Sequence, residues 1–387
     1  MTMQNPKRIL IANGDPNLVS TWSGTPYFFL QAGKRLGFLE SGLPLRPDRF
    51  KIERITWNLF SWLRHQELGG FQYTDLFLGR LFSQAKIENK SVEFISHFPL
   101  LPPARWENSR KVNYYIDATL KQNFEDYGLA SKIGSRVREA ALLQERKNYT
   151  SAVRVVCMSQ WAARSVVEDY GVTASKVFVI PPGANLDEAA IPVNRGEFSL
   201  SGPLSPLRLG FIGKDWRRKG LPFLLKVAEN LEKRGCAVEV VAAGFPAQYG
   251  PDHPLLKKIG FINKVTGTQK FIETVRSFHF GCLFSLADAS PISNLENLRL
   301  GVPVLAHRVG GVPESLSKDV GLLFELGIRP ETVAEVLESF VRNPSSYHVL
   351  RQGVARKAET FSWERAVEKF IRTWQGSEEF LYDKSGK

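Results

Sequence analysis

The sequence predicts an α/β protein made of two doubly wound, Rossmann-like halves. Three observations carry that expectation. Short apolar runs alternate with stretches of helical periodicity along the chain. The periodicity fails at 191–206, where Pro, Gly and Ser accumulate, and restarts with the strand-like LRLGFIG at 207–213. The 387 residues are enough for about two domains, each with its own core. We therefore expect an N-terminal domain at 1–190, a linker at 191–206, a C-terminal domain at 207–362, and a last helix with a loose tail at 363–387.

In chain order, KRILIAN at 7–13 reads as a buried strand, followed by a Gly- and Ser-bearing loop at 14–26 and an apolar helix at 27–37. Residues 50–82 are dense in aromatics, among them Trp57, Phe60, Trp62, Phe71, Tyr73 and Phe77. Aromatics at this density usually build core; an exposed subset would suit an amphiphilic acceptor or a membrane surface. Strands follow at 92–97 and 112–116, the second ending on Asp117. Residues 135–148 read as an amphipathic helix with Val137, Ala140, Ala141 and Leu142 inward. A strand at 153–158, a helix capped by Ser159, and a strand at 177–180 close the first half. Further strands are expected at 207–213, 238–244, 259–262, 282–287, 302–306 and 321–324, and helix resumes after Asn343-Pro344.

Two segments carry chemistry. In the first, an apolar run ends on Asp288, Ser290 is placed to cap a helix and Pro291 suits its first position. Ile292, Leu295 and Leu298 recur at helical spacing and Gly301 stops the helix. A helix N-terminus beyond a strand end offers N–H groups to phosphate. Glu296 lies about one and a half turns inside that helix, on a face away from Leu295 and Leu298, where it could bind two neighbouring hydroxyls. The second segment, 213–220, places Lys214, Arg217, Arg218 and Lys219 between a strand end and the next helix, a cluster able to neutralise a departing diphosphate. Asp117 ends the strand at 112–116, where a carboxylate can accept hydrogen bonds or face a developing positive charge.

No G-x-G-x-x-G follows the first strand, and no Walker A run, D-x-D triplet or metal-ligand spacing is present. These absences point to chemistry without a protein-bound metal. The net charge of +12 suits anionic donors or peripheral contact with an anionic membrane; nucleic acid ranks lowest, because no recognised nucleic-acid-binding pattern occurs. Without a secretory segment or an apolar span, and with Cys157, Cys236 and Cys282 all in apolar runs, a cytoplasmic protein with membrane association as an option is expected.

Asp288 and Glu296, with seven residues between them and Leu300-Gly301-Val302-Pro303-Val304 behind, resemble the E-x7-E signature of family 4 retaining nucleotide-sugar glycosyltransferases, here as D-x7-E. The segment at 213–220 resembles that family's Arg-Lys-Gly element, and Trp22-Ser23-Gly24-Thr25-Pro26-Tyr27 its glycine loop after the first strand. Asp117 stands where many relatives carry a histidine that touches the donor sugar, and Phe361-Ser362-Trp363-Glu364 resembles the start of a last helix that crosses back to the first domain. The resemblance covers most of 150–370 and the first 110 residues only loosely.

The resemblance implies a GT-B fold and metal-independent transfer of a hexose-type sugar, with retention, from a nucleotide-sugar co-substrate to a sugar, polysaccharide or lipid-linked acceptor. It implies no other cofactor. Catalytic roles fall to Asp117, Asp288, Arg218 and Lys219. Donor binding falls to Gly24, Lys214, Arg218, Lys219, Asp288, Ser290, Ile292, Ser293 and Glu296, with Glu296 on the ribose and Asp288 on a sugar hydroxyl. A nucleotide-sugar-binding protein of the same fold without turnover, suggested by Asp117 and Asp288, is the alternative, as is another GT-B enzyme such as a nucleotide-sugar epimerase.

Overall fold

The computed structural model describes residues 7–85, 87, 92–103, 111–192 and 204–383; most of the expected linker, at 193–203, lies outside them. The chain divides into two compact units, Met1–Pro181 with Ala366–Lys387, and Pro182–Arg365.

In the first unit, β1 (Lys7–Ile11), β2 (Ser41–Gly42), β3 (Val92–Ser96), β4 (Lys111–Ile116), β5 (Arg154–Cys157) and β6 (Val177–Val179) form a parallel sheet in the order β2-β1-β3-β4-β5-β6. The strand order reverses between β1 and β3, which opens a crevice beyond their carboxyl ends. The helices α1 (Thr25–Arg35), α2 (Lys51–His65), α3 (Asp75–Ser83), α4 (Leu120–Glu125), α5 (Ser135–Ser151) and α6 (Gln160–Glu168) alternate with these strands. Their starts are chemically marked. Ser159 accepts from the Ala162 N–H at 3.2 Å, and Thr119 and Gln122 form a reciprocal capping box on α4. Phe71, Phe77, Phe82, Phe94 and Tyr114 fill the core.

In the second unit, β7 (Leu207–Ile212), β8 (Val238–Ala243), β9 (Leu256–Gly260), β10 (Phe280–Leu283), β11 (Val304–His307) and β12 (Gly321–Phe324) form a parallel sheet in the order β12-β11-β10-β7-β8-β9. That is the Rossmann order, and its reversal lies between β7 and β10. Its helices are α7 (Leu221–Lys233), α8 (Thr268–Arg276), α9 (Ile292–Arg299), α10 (Pro330–Arg342) and α11 (Pro344–Lys357).

The last helix, α12 (Trp363–Trp374), runs into the part of the chain grouped with the first unit. There Phe370 is fully buried, with ring centroids 5.0 Å from Phe29, 5.5 Å from Phe38 and 4.8 Å from Tyr115. The Trp374 indole N–H donates to Glu93, whose other carboxylate oxygen pairs with Arg8 at 2.9 Å. The tail is not loose as far as it is described: Phe380 and Tyr382 hydrogen-bond β6, covering an otherwise open strand edge.

Helix α5 also departs from expectation. Ala140 is exposed, and the inward face carries Ala141, Glu145, Asn148 and Tyr149. Glu145 is fully buried; it accepts from the Leu120 N–H at 2.9 Å, from the Tyr149 hydroxyl at 2.8 Å, and from Tyr170. Burial outweighs these donors and pushes its carboxyl up to about 7. The folded state therefore keeps a proton that the unfolded chain releases near its ordinary value of 4.5. Stability accordingly falls as pH rises from about 4.5 to about 7 and levels off above. Glu145→Gln, which keeps an acceptor for Leu120, is expected to flatten that slope and to gain up to about 3 kcal/mol at pH 8. Urea unfolding at pH 5 and pH 8 checks it.

Candidate functional site

The loops leaving β7 and β10 meet at the point where the strand order reverses. Gly220 has φ +82°, and a Cβ there would sit 2.1 Å from the Phe284 carbonyl oxygen, so only glycine lets the two loops approach this closely. The Leu286 N–H donates to the Arg218 carbonyl at 2.9 Å and ties them together. On the other side the Gly311 N–H donates to the Asp288 carbonyl, and Gly310, at φ +51°, leaves no room for a Cβ beside it.

This backbone aims the Asp288 side chain at the basic cluster. Its Oδ2 accepts from Lys219 Nζ at 3.1 Å and from Ser285 Oγ at 3.2 Å, with Arg218 Nη1 at 3.9 Å. Arg218 also donates to the Ala287 carbonyl. Glu296 is buried and pairs with Lys264, which enters from the turn after β9. Burial raises the Glu296 carboxyl above its ordinary range, against the opposing pull of Lys264 and of Lys219. Thus Asp288, Glu296, Lys219, Lys264 and Arg218 form one network of three cations and two carboxylates.

Helix α9 differs in detail from the sequence expectation. Pro291, not Ser290, takes the N-cap position, with φ −78° and ψ 81° and no side-chain cap; the Ser290 carbonyl accepts from the Ile292 N–H instead. Ser293 Oγ is buried without a hydrogen-bond partner among the described residues. Ile292 is half-buried, and Lys214 holds its ammonium 5.8 Å from the Phe261 ring. Sequence reading missed Lys264, Ser285 and His307, whose Nδ1–H donates to the Ser285 carbonyl at 3.2 Å. Lys264 follows a strand end, and that position was the one available signal.

In the first unit, the loop beyond β1 bends through Trp22 and Ser23, both at left-handed φ of 43° and 59°, into Gly24 at φ 92°. Non-glycine residues rarely adopt this backbone, and such strain concentrates at functional loops. The Trp22 ring lies 5.2 Å from that of His97 at the end of β3. His97 donates Nδ1–H to the Tyr115 carbonyl at 2.7 Å, and burial lowers its pKa to about 4, so it is neutral with Nε2 unprotonated. Asp117, two residues beyond Tyr115, is half-buried. Burial first, and the Asp117 charge second, push the Tyr115 phenol well above its ordinary value. Gly24 and Asp117 thus belong to one unit, and Asp288, Glu296, Arg218 and Lys219 to the other.

Residues 206–343 match the sequence model of the family described as glycosyl transferases group 1. The D-inositol 3-phosphate glycosyltransferase of Rhodococcus erythropolis is 26% identical over 251 residues, covering 61% of this chain and 56% of that protein, so the chain spans little more than half the length of that relative. The protein of the same name from Actinosynnema mirum is 24% identical over 347 residues, covering 84% of this chain and 82% of that one. Among solved structures, sucrose-phosphate synthase from Thermosynechococcus elongatus aligns at TM-score 0.66 with 12% identity, over 95% of this chain and 98% of that one. HepE of Anabaena, in complex with UDP and glucose, aligns at TM-score 0.62 with 13% identity, over 96% of this chain and all of that one. These structural likenesses identify the fold as GT-B, and the family match falls within the unit that holds Asp288 and Glu296.

Proposed function

We propose that the protein is a retaining glycosyltransferase that moves a hexose-type sugar from a nucleotide-sugar donor to a sugar, polysaccharide or lipid-linked acceptor without a metal ion. One observation carries the reading: two carboxylates with seven residues between them share a buried network with Lys219 at the strand-order reversal of a Rossmann-order sheet. The family match over 206–343 supports it, as do relatives named as glycosyltransferases.

In this reading the C1–O bond to the diphosphate breaks and its electron pair goes to the leaving phosphate oxygen. Lys219 and Arg218 stabilise that growing charge, while Asp288 positions Lys219 and faces a sugar hydroxyl. The acceptor oxygen bonds to C1 on the same face and its proton passes to the departing phosphate. Glu296 holds the ribose once Lys264 yields one of its oxygens, and the unpartnered Ser293 hydroxyl supplies a further contact. Ser290, Ile292 and Lys214 flank the phosphates. Asp117 and the Gly24 loop serve the sugar and the acceptor.

The test is thermal stabilisation and slow hydrolysis against a panel of UDP-, GDP- and ADP-sugars, with and without chelator. We expect one donor class to raise Tm by several degrees and to be hydrolysed equally well with chelator present. A shift without hydrolysis or transfer would leave a binding protein of this fold. No shift with any donor would remove the donor site altogether.

A further inference from the structure

Helix α2 is amphipathic in an unusual sense. Its inner side is fixed to the first unit: Trp57 packs 5.8 Å from the Phe71 ring, and Asn58 accepts from the Gly69 N–H at 2.9 Å. Yet none of its residues is fully buried. Ile52, Ile55, Leu59, Trp62 and Leu63 are 75%, 65%, 56%, 51% and 65% exposed. At 100° per residue these five fall within an arc of about 100° opposite Trp57. A monomeric protein rarely leaves so continuous an apolar stripe in water.

Charge selects what covers it. Residues 46–65 hold five Arg and Lys against two acidic residues, within a chain of net charge +12. Two copies meeting through α2 would set like charge against like, whereas an anionic bilayer answers both the apolar stripe and its basic surroundings. A cavity of about 510 Å³ opens beside the helix, lined by Trp57 and Phe60, by Arg64 and Arg136, and by the carboxylates of Glu67 and Asp75; with both signs of charge present it selects no anion, and the choice rests on the stripe and the basic balance around it.

We propose that α2 is a membrane-docking helix, whose stripe of Ile52, Ile55, Leu59, Trp62 and Leu63 enters the headgroup–acyl boundary of an anionic bilayer. Docking needs no turnover, so it stands or falls independently of the transfer reaction. It brings the first unit to the lipid surface and favours a lipid-linked acceptor over a soluble one.

The experiment is co-sedimentation of the full chain with phosphatidylcholine vesicles, with and without phosphatidylglycerol. Wild type is expected to sediment with the phosphatidylglycerol vesicles, and added salt is expected to weaken binding. The Ile55→Asp/Leu59→Asp variant is expected to lose at least about tenfold in partitioning with unchanged Tm, since both side chains are exposed. Absence of wild-type binding to anionic vesicles, or equal binding by the variant, would overturn the proposal. So would light scattering that finds a wild-type dimer dissolved by the same substitutions, which would assign the stripe to self-association.

Discussion

Lys219→Ala is expected to lower kcat for the proposed sugar transfer by about 10²–10³, with a smaller change in KM. The ammonium sits 3.1 Å from Asp288 and acts electrostatically on Glu296 as well, so its loss removes the cation that links both carboxylates. Its side chain is 18% exposed, and charge stabilisation in so dry a place is worth far more than at a surface. In the proposed reaction the growing charge on the leaving diphosphate is a transition-state property, which places the effect on kcat. Lys219→Arg is expected to recover part of the rate, because it keeps the charge and changes the reach. Steady-state kinetics on the donor identified by stabilisation checks both variants. A Lys219→Ala enzyme with unchanged kcat would remove Lys219 from the chemistry.

Phe370→Ala is expected to destabilise the first unit by about 3–5 kcal/mol. The ring is fully buried and shares faces with Phe29, Phe38, Tyr115 and Trp374. Truncation would remove its transfer energy and also leave an aromatic-lined void that those neighbours can only partly close. Denaturant unfolding followed by tryptophan fluorescence measures it, with Trp374 a local reporter 5.7 Å from the lost ring. A loss under about 1 kcal/mol would mean that α12 contributes little to that core.

The legible parts of the molecule were those whose meaning is local. The alternation of strands and helices, the cap at Ser159, and the placing of Asp288 and Lys219 in the loops that leave strands all follow from a few neighbouring residues. The parts that were not legible depend on distant partners. Lys264 gains its significance only when the turn after β9 meets Glu296, 32 residues further along the chain. Glu145 lies in a helix of mixed charges, and the Leu120 N–H and Tyr170 hydroxyl that let it be buried come from 25 residues away on either side. The Ser290 cap failed for a local reason: Pro291, at ψ 81°, itself occupies the N-cap position. In the aromatic segment, periodicity alone could not say which face is covered. Phe71 and Phe77 turn inward, whereas Phe60 and Trp62 remain outside.

The grouping of Ala366–Lys387 with the first unit also sets an order of events during synthesis. Phe29, Phe38 and Tyr115 leave the ribosome early, yet the ring that covers them, Phe370, is made only after Pro182–Arg365 has been translated. At roughly 5–20 residues per second that interval is on the order of 10–40 s. For all of it the nascent first unit carries an uncovered aromatic face and an open β6 edge, the two kinds of surface that chaperones bind and that aggregates grow from.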